Sequence, residues 1–343
     1  MQPTKRLGRF TVELASPPSI IGFASVVGKK EGEGPLKNSF DRINNDTTFG
    51  EKTWEKSESR MQAETLSAAL NKTSLAPGSL DYVFAGDLLN QCIGSSFAVR
   101  DMALPFYGLY GACSTMAEGL GLASMLIDGG FANHTTAITS SHFASAERQY
   151  RMPLEYGGQR TPTAQWTATA AGCCILSSEG NGPYITHVCT GQIIDLGVKD
   201  SNHMGAAMAP AAYETLSALF KETGLAPTDF DLILTGDLAS FGAQILRDMF
   251  QLDGIDLGPN YHDCGVLLYD AKKQDVHAGG SGCGCSASVL CGHILNGMKD
   301  GTWNKVLFAG TGALMSPLSV QQGETIPCIC HAVVISNTKK EGA

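Results

Sequence analysis

Cys113 stands in a Gly111-Ala112-Cys113-Ser114-Thr115 stretch directly before a run of helix-forming residues. A thiol at a helix start meets unsatisfied N–H groups and the positive end of the helix dipole. Both stabilise thiolate and lower its pKa. Thr115 and Glu118 have capping-box spacing, which supports a helix start here. The pattern points to a nucleophilic cysteine; the competing role is a buried structural one.

Other groups could serve the same site. Asp87 and Asp237 each follow an apolar strand in a Gly-Asp-Leu sequence. Open α/β sheets place ligand groups at such strand ends, and aspartate is also a preferred helix cap. Capping is favoured at Asp237; at Asp87 both roles stay open. Ser140, Ser141 and His142 end another strand, with Glu147 and Arg148 close behind. His142 is either a site residue or a satisfied structural histidine. Arg148, Arg151 and Arg160 share one stretch with Tyr150, Tyr156 and Trp166. Guanidinium groups bind carboxylates bidentately and aromatic faces stack on planar rings, which suits a flat dicarboxylate. The alternative is a solvated or dimer-contact loop. Gly282-Cys283-Gly284-Cys285 has the wrong cysteine spacing for zinc, so no metal is expected. Its glycines suggest a tight turn with N–H groups aimed into a pocket, an anion nest. Gly310-Thr311-Gly312 is too short to indicate dinucleotide binding, and no Walker sequence occurs.

The elements that position these residues come in two similar sets. Residues 64–90 recur without a gap at 214–240, each copy running from a helix-like stretch through Leu-Ala-Pro into a strand that stops at Gly-Asp-Leu. One long repeat occurring twice means two similar α/β halves rather than a solenoid. Aligning Asn133 with Asn304 sets Cys113 opposite Gly284, with an insertion in the second half before its glycine-rich turn. Strands are expected at 20–24, 82–85, 105–109, 134–140, 232–235, 306–308 and 328–335. Helices are expected at 54–70, 95–102, 115–128, 211–222, 241–250 and 286–298. Residues 29–36 and 147–167 read as loops, the latter a long insertion. Such alternation predicts a largely parallel sheet covered on both faces. The expected halves are 1–180 and 181–343, with the site where they meet.

Composition narrows the function. A net charge of −9 without a basic cluster argues against nucleic acid. No apolar run approaches the ~18 residues of a spanning helix, and MQPTKRLGRF lacks the apolar core of a secretory signal. Eleven cysteines in apolar or glycine-rich contexts indicate a reducing compartment.

A strand, Gly-Ala-Cys-Ser and a long helix inside a duplicated α/β chain resemble the thiolase superfamily, which includes the ketoacyl synthases. Within it, Lys30–Leu36, Thr53–Glu55, Ala85–Gln91, Gly111–Thr115, Ser140–His142, Ala146–Gln159, Leu234–Leu238, Gly279–Ala287 and Glu324–Pro327 resemble the stage V sporulation protein AD family of spore-forming Firmicutes. The resemblance implies a thiolase-like α/β fold of two pseudo-twofold halves in five layers, α-β-α-β-α. It implies a binding component that helps move pyridine-2,6-dicarboxylic acid (dipicolinic acid), with calcium, into the developing spore. Membrane proteins of the same operon would be its partners. It would reside in the forespore, held at the inner spore membrane through those partners. A homodimer across an edge strand near the Cys113 helix is expected, and no cofactor. Active condensing enzymes add two further groups from the second half. In the ketoacyl synthase III type one lies in His-Gln-Ala-Asn, where this chain has Gly236-Asp237-Leu238-Ala239. The other is the Asn of Gly-Asn-Thr-Ser, where it has Gly282-Cys283-Gly284-Cys285; the Gly-His-Pro of thiolases is missing too. Without base and oxyanion donors, a non-catalytic protein is expected; the alternative is a Cys-dependent acyltransferase or ketoacyl-synthase-like condensing enzyme. The expected ligand residues are Asp87, Cys113, Ser114, Ser140, His142, Arg148, Tyr150, Gly282 and Cys283.

Overall fold

The computed structural model describes residues 5–150 and 153–339. Its strands are β1 (Thr11–Glu13), β2 (Ser19–Gly28), β3 (Arg42–Asn44), β4 (Tyr82–Gly86), β5 (Phe106–Gly108), β6 (His134–Ser141), β7 (Trp166–Thr167), β8 (Ala170–Ser177), β9 (Tyr184–Cys189), β10 (Leu232–Thr235), β11 (Tyr261–Asp263), β12 (Gly280–Ser281), β13 (Lys305–Ala313) and β14 (Cys328–Ser336). Its helices are α1 (Lys29–Gly32), α2 (Trp54–Asn71), α3 (Ile93–Val99), α4 (Thr115–Asp128), α5 (Phe143–Glu147), α6 (Met204–Thr223), α7 (Ala239–Leu252), α8 (Cys264–Leu268), α9 (Cys283–Val289), α10 (Leu295–Lys299) and α11 (Pro317–Gln321).

Strands β5-β4-β6-β8-β2 form one run and β11-β10-β13-β14-β9 the other. They join only where Ser19 meets Tyr184. The order is the same in both, and the repeat puts β4 and β10, then β6 and β13, in matching places. Each strand divides its side chains between two layers, as a period of two requires. Val83 and Ala85 pack outward with Leu66 and Leu70 of α2, while Phe84 packs inward with Met116 and Leu120 of α4. In the second half Ile233 packs outward with Leu216, Leu219 and Phe250, while Leu232 and Leu234 face the same central core. Both faces are covered, so the strands read as continuous apolar runs, but the sheet expected to be largely parallel is mixed: β6–β8, β8–β2, β13–β14 and β14–β9 pair antiparallel. The layers are α2/α3, sheet, α4/α9, sheet, α6/α7. Burying each large side chain contributes about 2 kcal/mol.

Several sequence expectations change. Residues 29–36 contain α1, because Glu31 is buried rather than solvated. Its Oε1 accepts from the Tyr269 hydroxyl and from Thr169 N–H (3.1 Å). Helix α6 starts well before residue 211 and runs through Pro210. Its first turn is held by close packing: a Cβ on Gly205 would lie 2.5 Å from Leu238 O and 3.0 Å from Gly242 N. Strand β13 extends beyond 308 to Ala313, and α9 starts at Cys283, ahead of residue 286. The 147–167 loop is tethered at its end: β7 pairs in parallel with β12, with Trp166 N–H donating to Gly279 O at 2.8 Å.

Candidate functional site

Cys113 belongs to a 3₁₀ turn, Ala112–Ser114, that leads into α4. Ser114 Oγ donates to Gly111 O (2.7 Å). Thr115 Oγ1 accepts from Gly111 N–H (3.0 Å) and donates to Ala112 O (2.7 Å). The expected Thr115–Glu118 capping box is therefore absent: Ser114 is the N-cap, and Glu118 Oε2 is buried without a partner among the described residues. Ala112 sits at φ 49°, where an L-residue costs roughly 1–2 kcal/mol. Gly310 and Gly312 let β13 pass against this turn. A Cβ on Gly312 would lie 2.3 Å from Gly111 O, and one on Gly310 3.0 Å from Ser114 O. That close approach is the physical role of the Gly-Thr-Gly sequence.

Behind the thiol lies Asp237. Its Oδ1 accepts from Thr311 Oγ1 (2.8 Å) and its Oδ2 from Ser281 Oγ (3.0 Å) and Gly282 N–H (2.9 Å). Cys113 Sγ lies 3.9 Å from Ser281 Oγ, which links it to this carboxyl, and burial raises the Asp237 pKa. Asp237 does not cap α7. Asp263 does, accepting from Leu238 N–H and Ala239 N–H, both at 2.9 Å. The expectation of an activated thiol is reversed. Burial, then the neighbouring Asp237 charge, push Cys113 well above the ordinary thiol range. A helix end lowers a thiol pKa, but here burial, which disfavours the charged form, outweighs it. With the Asp237 carboxylate as its neighbour, an ionised Cys113 would leave two buried anions.

Cys113 is accordingly expected to resist iodoacetamide at pH 8, read by peptide mass spectrometry. Asp237→Asn should label at least 10-fold faster, since removing a like charge favours thiolate. Fast labelling of Cys113 in the unaltered chain, or no gain in the folded variant, would contradict this electrostatic account.

Cys113 opens on a cavity of about 200 Å³ between the halves, lined also by Tyr110, Gln149, Tyr150, Gln165, Thr167, Asn202, Ser281 and Met315. Of the residues singled out from sequence, Cys113 and Tyr150 line it. Burial pushes the Tyr150 phenol up to about 12, and its hydroxyl donates to Met315 O (3.3 Å). Ser114 and Gly282 lie in the supporting turns. Cys283 donates to Ser140 O (2.9 Å), and Ser140 Oγ donates to Glu58 Oε1 (3.1 Å). Asp87 binds Leu89 N–H, Ser95 N–H and Ser95 Oγ, holding the start of α3. His142 caps α5, accepting from Ala144 N–H (3.2 Å), with Nε2 2.8 Å from Thr47 O; burial lowers its pKa. Arg148 pairs with Glu55 of α2 instead of reaching the cavity. Arg160 pairs with Asp275, and Arg151 lies outside the described residues. Ser281, Thr311 and Gln165 were not singled out from the sequence. Ser281 and Thr311 sit in glycine-rich stretches that mark close packing; Gln165, whose Nε2 donates to Gly280 O (3.1 Å), had no local signal.

Among solved structures, 3-oxoacyl-[acyl-carrier-protein] synthase III of Aquifex aeolicus VF5 superposes with a TM-score of 0.60 at 13% identity, covering 93% of this chain and 99% of that one. Cerulenin-bound OleA of Xanthomonas campestris gives 0.59 at 13%, covering 98% and 100%. The tetronic acid condensing enzyme AbyA1 gives 0.59 at 15%, covering 93% and 99%. These likenesses establish the thiolase-like fold alone. Stage V sporulation protein AD of Bacillus subtilis (strain 168) is 42% identical over 330 residues, 96% of this chain and 97% of the relative. The family model for stage V sporulation protein AD matches residues 8–336. The chain therefore belongs to the stage V sporulation protein AD family, sporulation proteins built on the thiolase-like fold.

Proposed function

We propose that the Cys113 cavity binds dipicolinic acid as its calcium chelate, without chemistry, as a component of the spore uptake machinery. What supports the non-catalytic part is the buried Asp237 beside Cys113, in a stretch, Gly236–Ala239, that carries no histidine. Size favours a small ligand: about 200 Å³ falls below the ~300–1,000 Å³ of sites for drug-sized molecules. A single-ring acid suits it better than a long acyl chain. Charge favours the chelate. No lysine, arginine or histidine lines the cavity among the described residues. A free dianion there would be poorly compensated; calcium cancels its charge and leaves tyrosine, amide and hydroxyl groups to bind the rest.

Calorimetry with dipicolinate tests this. One equivalent should bind, at least 10-fold tighter with equimolar Ca²⁺, and Ala164→Phe, which fills the cavity from the loop, should abolish it. Absence of binding with or without Ca²⁺ would refute the ligand assignment. The alternative, acyl transfer through Cys113, requires CoA release from acetyl-CoA or acetoacetyl-CoA at an enzymatic rate of ~1 s⁻¹ or more, lost in Cys113→Ala. Such turnover would replace the binding reading.

The partners follow from the surface. Among the described residues strand β5 pairs only with β4, and Tyr107 on it and Ile93 and Phe97 of the adjacent α3 are exposed. A bare edge beside an apolar patch invites self-association, so a homodimer is expected at micromolar concentration. Sedimentation as a monomer alone would contradict it. No helix among the described residues is long and apolar enough to cross a membrane. In the proposed role, attachment at the inner spore membrane of the forespore comes through membrane proteins of the same operon.

A further inference from the structure

Behind the cavity wall lies a second hollow, a cup of about 330 Å³ lined by Phe143, Leu154, Tyr156, Arg160 and Trp166 among others. The two hollows share their wall. In β7, Thr167 lines the cavity and Trp166 the cup; in α5, Ala146 lines the cavity and Phe143 the cup. Successive strand residues point to opposite sides, so one short strand serves both.

Arg160 lines the cup, whereas no cationic side chain lines the cavity among the described residues. Phe143 stacks on Trp166 with centroids 3.9 Å apart and planes 13° from parallel. One indole face is thereby covered, so the Lys30 ammonium, 3.5 Å from the indole centroid, stands over the other. The Arg160 guanidinium carbon is 4.7 Å from the same ring. Its side chain is only 7% exposed. Nη2 donates to Asp275 O (2.9 Å) and Oδ1 (3.1 Å), whereas Nη1 is buried without a partner among the described residues. A guanidinium carries five donors in a planar fork, and a buried donor left unmet is costly. Asp275 is 74% exposed and also meets His277 Nε2 at 3.0 Å, so it offers little further compensation. Burial and the nearby Arg160 both lower the Lys30 pKa, although Asp275 acts in the other direction.

We propose that this cup is a separate binding site for a flat aromatic carboxylate, its ring against Tyr156 and the edges of the stacked Phe143 and Trp166 and its carboxylate on Arg160 in the field of Lys30. As an outer station for the cavity's ligand it rests on the dipicolinate reading; as an anion site it stands on these contacts. Guanidinium matches carboxylate geometry and stacks on aromatic faces, which an ammonium alone does not.

The probe is benzoate, which carries the ring and one carboxylate but does not chelate calcium as a dicarboxylate does. Trp54→Phe with Trp303→Phe leaves Trp166 as the reporting indole, since the chain has three tryptophans. Its fluorescence should change saturably with benzoate. Arg160→Gln should weaken the affinity at least 10-fold and Lys30→Gln severalfold, while Ala164→Phe leaves it unchanged. Equal affinity in both charge variants, or no saturable change, would overturn the cup. Calcium dipicolinate reports on the cavity independently. Its binding should survive Arg160→Gln and vanish in Ala164→Phe. Loss of that pattern with benzoate binding intact removes the cavity reading and leaves the cup; the converse removes the cup alone.

Discussion

Gly284→Ala is expected to destabilise the protein by about 3 kcal/mol, near the upper end of what overpacking costs. The added Cβ would lie 2.1 Å from Ala170 O and 2.7 Å from Ser141 N. Both are backbone atoms of neighbouring strands and neither can swing aside. By size scaling the melting temperature should fall roughly 4 °C. Gly78→Ala is the control: nothing lies within 4 Å of its Cβ, so its effect should stay within about 0.5 kcal/mol. Equal melting temperatures for the two variants would show that α9 is not packed against β6 and β8 as described. The position matters because Gly284 is the repeat-related counterpart of Cys113. One half places a side chain into the site at this point, and the other admits none.

Glu58→Gln is expected to change how stability depends on pH. Glu58 is fully buried on α2, and burial, then the Asp87 charge, push its carboxyl up to about 8. Asp87 is raised by burial too. Ser140 Oγ and Ser145 Oγ donate to Glu58, and Gln62 links Ser140 to Ser95, which binds Asp87. A carboxyl whose folded pKa is raised binds its proton more tightly in the folded state. Its stabilisation is complete below the ordinary carboxyl pKa of ~4.3 and is lost as pH rises towards 8. The melting temperature should therefore decline between about pH 5 and 8.5. Glutamine keeps the shape without the ionisation, so the variant should show a flatter profile and exceed the unaltered chain at pH 8.5. A decline equally steep in the variant would mean that Glu58 already ionises freely in the folded protein.

The contrast between what the sequence discloses and what it hides follows from the range of the forces involved. The repeat was legible because buried strands and amphipathic helices carry their signals locally: Val83–Ala85 and Leu232–Leu234 are apolar throughout. The Cys113 turn was legible for the same reason, through its glycine and hydroxyl residues. Helix α1 was hidden because Lys29-Lys30-Glu31 looks solvated until Tyr269 and Thr169 close over Glu31. Arg148 has a carboxylate partner, as its type suggested, but that carboxylate is Glu55 of the same protein. The thiol was misjudged because the helix-end effect is local, whereas burial and Asp237 come from the other half. Its role depends on an arrangement that only the folded pair of halves creates.

The central claim is the place and identity of the ligand. Diffraction from crystals grown with calcium dipicolinate measures both at once. The account predicts density for one ring and one calcium ion between Cys113, Tyr150, Gln165 and Ser281, with no bond to the Cys113 sulfur. An empty cavity at saturating calcium dipicolinate, or an acyl group attached to Cys113, would contradict it.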